Sequence, residues 1–232
     1  MAVGGSTDST ESTDNSESTL MDPDALRREY VFGSLEEQDL NPDPFMQFDT
    51  WFGNAVDAGI ELADVMTVAT ASRAGVPSAR IVVLRGVDER GFVFYTDYRS
   101  AKSRDLDENP RAALVFYWRE LGRQVRIAGA VQRVAEEESA RYFRSRPLES
   151  RLAALASSQS EVIADRKVLE DRYEALKAAH PSGDVPCPDN WGGYRVSPDE
   201  FEFWQGRELR LHDRIRYRRG ADGHWKIERL SP

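Results

Sequence analysis

A series of β-type runs between residues 65 and 134 constrains this chain most. They read VMTVATAS (65–72), SARIVVLRGV (78–87), GFVFYTD (91–97), AALVFYW (112–118) and RQVRIAGAVQRV (123–134). The first pairs are joined by RAGVP and DERG, both turn-forming. In the last run Val125, Ile127, Gly129 and Val131 alternate with Gln124, Arg126 and Gln132, which gives one apolar face and one polar face. Five strands with such short links predict an antiparallel barrel rather than a parallel α/β sheet. No βαβ rhythm and no glycine-rich dinucleotide fingerprint interrupts them. Only YRSAKSRDLDENP, between the third and fourth runs, predicts a short helix, ended by Asn109-Pro110.

Helices flank this block, so the predicted class is mainly β with flanking helices (α+β). Pro42 and Pro44 suit a turn and a first helical position. Phe45, Phe48, Trp51, Phe52 and Val56 then recur at helical spacing, first of all a core-facing stripe. EEESARYFRSRP predicts a helix stopped by Pro147. SQSEVIADRKVLEDRYEALKAAH predicts another, with Val162, Ile163, Leu169, Tyr173 and Leu176 along one side and Ser160 at its cap. PSGDVPCPDNWGG reads as a loop. YRVSPDEFEFWQG, RLHDRIRYRR and HWKIERL then read as further antiparallel strands, the last two around GADG. Residues 1–20, rich in Ser, Thr, Asp and Glu, are expected to be a disordered tail, and residues 21–232 a single domain. LRREYVF (26–32) reads as a short helix or an ordered arm.

Charge and composition narrow the partners. The net charge of -9 argues against general nucleic-acid affinity, so cationic clusters are local sites. No apolar run reaches the length of a membrane-spanning helix. The single cysteine, Cys187, excludes an intramolecular disulfide framework and a cysteine-rich zinc site, and fits a cytoplasmic protein. The three histidines are too dispersed for a metal site.

Several cationic groups invite an anion. Arg80 and Arg85 bracket IVVL; on one continuous strand, residues five apart face opposite ways. Lys102 lies on the short helix. Tyr142, Arg146 and Ser150 recur at i, i+4 and i+8, a donor set suited to a phosphate dianion, although spacing alone reads them first as a solvated helix face. Gln159 and Ser160 precede a helix, where free N–H groups attract anions; plain capping is the simpler alternative. FWQGRELRLHDRIRYRR (203–219) packs six arginines beside a tryptophan and a histidine. Read as a strand, it puts Arg210, His212 and Arg214 on one face, either a site or an exposed hairpin face, with Trp204 upstream able to stack on a planar ring.

The ordered set RREY (27–30), RIVVLR (80–85), GFVFYT (91–96), RQVRIAG (123–129), YFRSRP (142–147), SSQS (157–160), WGGYRV (191–196), FEFWQG (201–206), RLHDR (210–214) and WKIERLSP resembles the pyridoxine/pyridoxamine 5'-phosphate oxidase family. The likeness runs from about Leu26 to Pro232. It implies an FMN-binding split β-barrel of antiparallel, Greek-key type, working as a homodimer with flavin between the subunits. It implies oxidation of pyridoxine or pyridoxamine phosphate to pyridoxal 5'-phosphate, with O2 as acceptor and H2O2 as product. The family pattern puts Arg80, Ile81, Val82, Val83, Leu84, Arg85, Tyr95, Thr96, Lys102, Gln124, Gln159, Ser160, Trp204 and Arg214 against the cofactor. It puts Arg85, Tyr142, Arg146 and Ser150 around the substrate phosphate. Arg210 and His212 would lie over the substrate ring as the catalytic pair, and Arg27 and Tyr30 on an arm that closes over it.

Four departures stand out. Arg85 replaces a usual lysine, Ala101 a usual arginine, SRLAAL (150–155) a usual SQIGAW, and Arg207 the glycine after FWQG. Arg99 and Arg104 are candidates to compensate for Ala101. The alternatives are a related flavin oxidase acting on a phenazine-type ring, and a flavin-binding module without turnover.

Overall fold

The computed structural model describes Met1 and residues 33–232. All of the expected tail but Met1, and the LRREYVF arm with Arg27 and Tyr30, lie outside the described residues. The five β-type runs become six strands: β1 (Val65–Ala71), β2 (Pro77–Val83), β3 (Gly86–Asp88), β4 (Gly91–Asp97), β5 (Arg111–Trp118) and β6 (Arg123–Arg133). Three more follow, β7 (Trp191–Gln205), β8 (Asp213–Arg219) and β9 (Trp225–Arg229). All pair antiparallel in the order β2-β1-β5-β6-β7-β4-β3, with β8 and then β9 added beyond the C-terminal half of β7. Strands β4 and β5 are consecutive in sequence, yet β6 and β7 lie between them, the long return that a Greek-key arrangement requires.

Strand β7 is the hinge of the sheet. Residues 191–196 pair with β4, residues 200–205 pair with β8, and β6 runs alongside both halves. A bulge between Ala128 and Gly129 lets β6 follow this bend. Glycine is required there, because a Cβ on Gly129 would lie 2.0 Å from the Ser197 carbonyl oxygen.

Helix α1 (Pro44–Asp57) fills the concave side of this half-barrel. Pro44 opens it, and Asp43 caps it by accepting from the Phe45 amide. Phe48 and Trp51 are buried among Phe92, Phe116, Trp118, Phe201 and Phe203, with Phe45 and Phe52 partly so. Val56 departs from the expected stripe and is exposed. A smaller core of Phe143, Leu152, Val185 and Trp191 lies under α3 (Glu136–Ser145), α4 (Leu148–Ala156) and α5 (Arg166–Ala179). The remaining helix, α2 (Ala101–Glu108), ends at Asn109-Pro110 as expected.

Four local expectations are corrected. SARIVVLRGV is two strands, because the Leu84 amide leaves the ladder for the Asp64 carbonyl and the Arg85 amide bonds Val93. WGG belongs to β7 and not to the preceding loop. The long helix starts at Arg166 under an Asp165 cap, so Val162 and Ile163 are off it and exposed. Ser160 caps nothing there, and its φ of 71° takes the backbone out of helical space. RLHDRIRYRR is not one strand: β8 begins at Asp213, after a tight 3-10 turn at Glu208–Arg210 in which Leu209 and Arg210 are left-handed. Arg210 and His212 therefore do not share a strand face with Arg214.

Candidate active site

A cavity of about 730 Å³ opens between β2, β4, the start of α2 and the α3–α4 corner. Arg80, Ile81, Val82, Val83, Arg85, Tyr95, Thr96, Lys102, Tyr142, Arg146, Ser150, Gln159 and Ser160 all line it. Thirteen scattered positions thus meet at one wall. The break after Val83 explains why Arg80 and Arg85 both reach it, against the opposite-face expectation of an unbroken strand.

One end of the cavity is built around two cations. Arg80 donates through Nη1 to Thr70 Oγ1 at 2.7 Å and through Nη2 to Ser78 Oγ at 2.5 Å. Both hydroxyls in turn donate to Asp105 Oδ2, at 2.6 and 2.8 Å, which fixes the guanidinium through a relay. Lys102 is buried and donates from Nζ to Thr96 Oγ1 (2.9 Å), Gln159 Oε1 (2.9 Å) and Ser100 Oγ (3.2 Å). Burial, then the charge of Arg80, pushes the Lys102 pKa down to about 8. Burial also lowers that of Arg80, against the pull of Asp105. Ser160 Oγ accepts from the Ala101 amide at 3.2 Å, so this serine sits at the start of α2 rather than of α5. A buried ammonium held only by neutral hydroxyl and amide oxygens, beside a half-buried guanidinium, suits a phosphate.

The other end holds Arg85, Tyr142, Arg146 and Ser150. Pro147 stops α3 and α4 restarts at Leu148, so Tyr142 and Ser150 come from different helices, with Arg146 at the corner. Arg146 packs over Trp191 at 4.8 Å, and its Nη1 is buried without a hydrogen-bond partner among the described residues. Burial lowers its pKa, Tyr142 opposes that shift, and Arg85 adds to it. A buried guanidinium N–H with no acceptor is costly, and an anion in the cavity would relieve it. Arg85 keeps one contact outside, an ion pair with Asp64 at 3.4 Å.

Between the ends stand parallel rings. Tyr95 lies 4.0 Å from Tyr142 and 5.4 Å from Trp191, with interplanar angles of 19° and 9°. Burial pushes the Tyr95 phenol up to about 12, so it stays a neutral donor. Gly193 makes the stack possible, since a Cβ there would lie 2.8 Å from the Tyr95 ring.

Leu84, Gln124, Trp204, Arg210, His212 and Arg214 do not line this cavity. Leu84 is core. Gln124, Trp204 and Arg214 form a row across β6, β7 and β8, opposite one another in register. Arg214 is tied to Glu202 at 2.8 Å and to the Ser231 carbonyl at 3.0 Å. The His212 ring lies 4.6 Å from that of Trp204. Within one chain the expected site is therefore two separate groups.

Sequence reasoning gave no role to Asp97, Ser157 or Trp191, which also line the cavity, as do Ala101, Ala153 and Ala154 from two of the departures. The WGG motif was the available signal for Trp191. Arg99 and Arg104, the candidates to compensate for Ala101, are engaged elsewhere. Arg99 is held by Asp97 at 2.9 Å, Arg104 donates to the Arg99 carbonyl at 2.6 Å, and neither lines the cavity. Among the described residues no cluster of side chains suits a metal ion, and no helix is long and apolar enough to cross a membrane.

Comparison with known proteins identifies the family. Residues 52–179 match the family described as pyridoxamine 5'-phosphate oxidase, and residues 191–232 its C-terminal dimerisation region. A pyridoxine/pyridoxamine 5'-phosphate oxidase from Gloeothece citriformis is 54% identical over 89% of this chain and 97% of its own length. One from Paraburkholderia phymatum is 53% identical over 93% and 100%. The crystal structure of PhzG from Burkholderia lata, solved with tetrahydrophenazine-1-carboxylic acid, shares the split-barrel fold. Its TM-score is 0.82 at 32% identity, covering 87% of this chain and 99% of that one. Relatives this similar over nearly their whole length place the chain in the pyridoxine/pyridoxamine 5'-phosphate oxidase family.

Proposed function

We propose that this protein is an FMN-dependent oxidase of phosphorylated B6 vitamers, converting pyridoxine and pyridoxamine 5'-phosphates to pyridoxal 5'-phosphate. The observation that carries this reading is the two-ended cavity. It has a cationic group at each end, Arg80 with Lys102 and Arg85 with Arg146, and stacked rings between. A cationic group at each end suits two phosphorylated flat molecules.

The cofactor is FMN, and the donor set fits it. Arg80, Lys102, Thr96, Gln159 and Ser160 would hold its phosphate, and the exposed apolar edge of β2 at Ile81–Val83 would lie along its ring. Bound FMN would supply the two-electron acceptor for C4' of the substrate, with O2 as terminal acceptor and H2O2 as product. Tyr142, Arg146, Ser150 and Arg85 would grip the substrate phosphate and so fix where C4' lies. The Gln124–Trp204–Arg214 row and the Arg210–His212 loop would reach the same site from a second copy of the chain, through the dimerisation region. Arg214 would then stand near the cofactor, where a guanidinium would stabilise negative charge that grows on its reduced form. Cys187 and the absence of any other cysteine suit a cytoplasmic setting.

The likeness to PhzG supports a second reading, oxidation of a phenazine-type ring. The Tyr142–Arg146–Ser150 group favours the phosphorylated substrate, because a ring bearing only a carboxylate leaves a dianion cradle underused. FMN-loaded protein given pyridoxine phosphate, pyridoxamine phosphate or tetrahydrophenazine-1-carboxylic acid, with aldehyde and peroxide followed together, decides between them. Aldehyde and peroxide in equal amounts from either vitamer support the reading; peroxide from the phenazine alone overturns it.

A further inference from the structure

The loop between β7 and β8 is closed by one residue with two donors. The Arg207 backbone N–H donates to His212 Nδ1 at 3.0 Å. Its guanidinium Nη1 donates to Asp213 Oδ2 at 2.9 Å. Arg207 thus grips two consecutive residues across the tight turn that left-handed Leu209 and Arg210 create. The turn is further pinned by the Leu211 amide on the Glu208 carbonyl at 3.1 Å.

Asp213 is committed to three other donors. Its Oδ1 accepts from Arg229 Nη1 at 2.6 Å, and its Oδ2 from Arg207 and from the Leu35 amide at 3.1 Å. Burial would raise its pKa, but the Leu35 amide, Arg229 and Arg207 hold it low, so it stays a carboxylate. A neutral imidazole carries one proton, and a nitrogen that accepts from an amide cannot hold it. Burial and the neighbouring Arg210 charge lower the His212 pKa, with Asp213 opposing, so the ring is mostly neutral at pH 7.

We propose that Arg207 is a positioning residue for His212, clasping Asp213 so that its own amide occupies His212 Nδ1 and the imidazole proton sits on Nε2. Toward an oxygen or nitrogen of the substrate the ring is then a hydrogen-bond donor. It is not the base that collects the proton from the C4' alcohol or amine. This rests on the reading above only in placing His212 over the substrate.

The test uses full-length, FMN-loaded protein labelled with 15N-histidine. Two-bond 1H–15N spectra show which ring nitrogen is protonated, and His212→Gln identifies its signals among the three histidines. The wild type is expected to show the neutral Nε2–H form. Arg207→Ala is expected to shift His212 to a mixture of tautomers and Arg207→Lys to retain the wild-type pattern. In Arg207→Ala the KM for pyridoxamine phosphate should rise about two- to tenfold, the worth of one hydrogen bond, with kcat little changed. A wild-type Nδ1–H form or imidazolium overturns the proposal, as does an Arg207→Ala spectrum and KM identical to wild type. The wild-type spectrum decides the tautomer even where Arg207→Ala does not fold. A protein with the expected spectrum that oxidises neither vitamer upholds the tautomer and removes only the substrate reading.

Discussion

Tyr95 on β4 and Tyr142 on α3 lie ring to ring at 4.0 Å, joining the main sheet to the helical lobe inside the cavity wall. Each residue has two separable parts, a ring that packs and a hydroxyl that donates. Tyr142→Phe keeps the stack and should leave the melting temperature unchanged while raising the KM for the phosphorylated substrate about two- to tenfold. Tyr142→Ala also removes the stack, worth about 0.5–1.5 kcal/mol beyond burial, and should lower both affinity and melting temperature. Steady-state kinetics and thermal melts of the two variants separate the parts.

Lys102 gives the affinity for FMN a pH dependence. Its pKa of about 8 in the folded protein lies below the ordinary 10.5, so the folded chain loses this proton first. Above pH about 8 the site loses a cation and FMN should dissociate more readily. A charge-assisted hydrogen bond of about 1.5–3 kcal/mol makes that a weakening of roughly ten- to a hundredfold by pH 10. The unliganded protein should show the opposite trend from this residue. A depressed pKa contributes stability that appears as pH rises from about 8 toward 10.5 and is lost as pH falls back. Fluorescence titration with FMN across this range, beside Lys102→Met, isolates the effect; the variant should show a weak, flat profile.

Ala101 begins α2 at the phosphate end of the cavity, with its amide on Ser160. An arginine there adds a donor where the helix start already favours anions. Ala101→Arg should tighten FMN binding about fivefold, the worth of one partly exposed ionic contact of about 1 kcal/mol. The Arg99→Ala, Arg104→Ala double variant should bind FMN within about twofold of wild type, since surface changes away from the site stay within about 0.5 kcal/mol. Calorimetric titration of apo-protein checks both.

The separation of the cavity from the Arg210–His212 loop predicts complementation between subunits. Arg146→Ala and His212→Ala homodimers should each be severely impaired. Mixed and allowed to exchange, half of the dimers carry both lesions in one site and none in the other. About a quarter of the wild-type sites should then return. Turnover that stays at the level of the separate variants, with exchange verified by mass spectrometry of labelled subunits, would sink the shared-site arrangement.

Much of the fold was legible because local rules and tertiary context agreed. Alternation in 123–134 marked β6, and Pro44 and Asn109-Pro110 set the start of α1 and the end of α2. Where legibility failed, a tertiary hydrogen bond or a backbone reversal had overridden the pattern. The Leu84 amide turns to Asp64 and splits one apparent strand in two. Positive φ at Leu209 and Arg210 breaks a basic run that looks continuous. Ser160, placed like a cap, instead meets the start of α2, fifty-nine positions earlier.

The sequence alone determined the antiparallel class, the family and the kinds of group available: guanidinium, ammonium, hydroxyl and ring. The class and the kinds of group follow from short-range periodicity and composition, which act over a few residues, and the family from an ordered series of motifs. Only the tertiary structure decided that thirteen of the expected positions share one cavity while Gln124, Trp204, Arg210, His212 and Arg214 stand apart from it. That division depends on where β2 breaks and how β7 bends, beside the locally encoded stop at Pro147. The break and the bend are set by contacts between residues far apart in the chain, which no local pattern encodes.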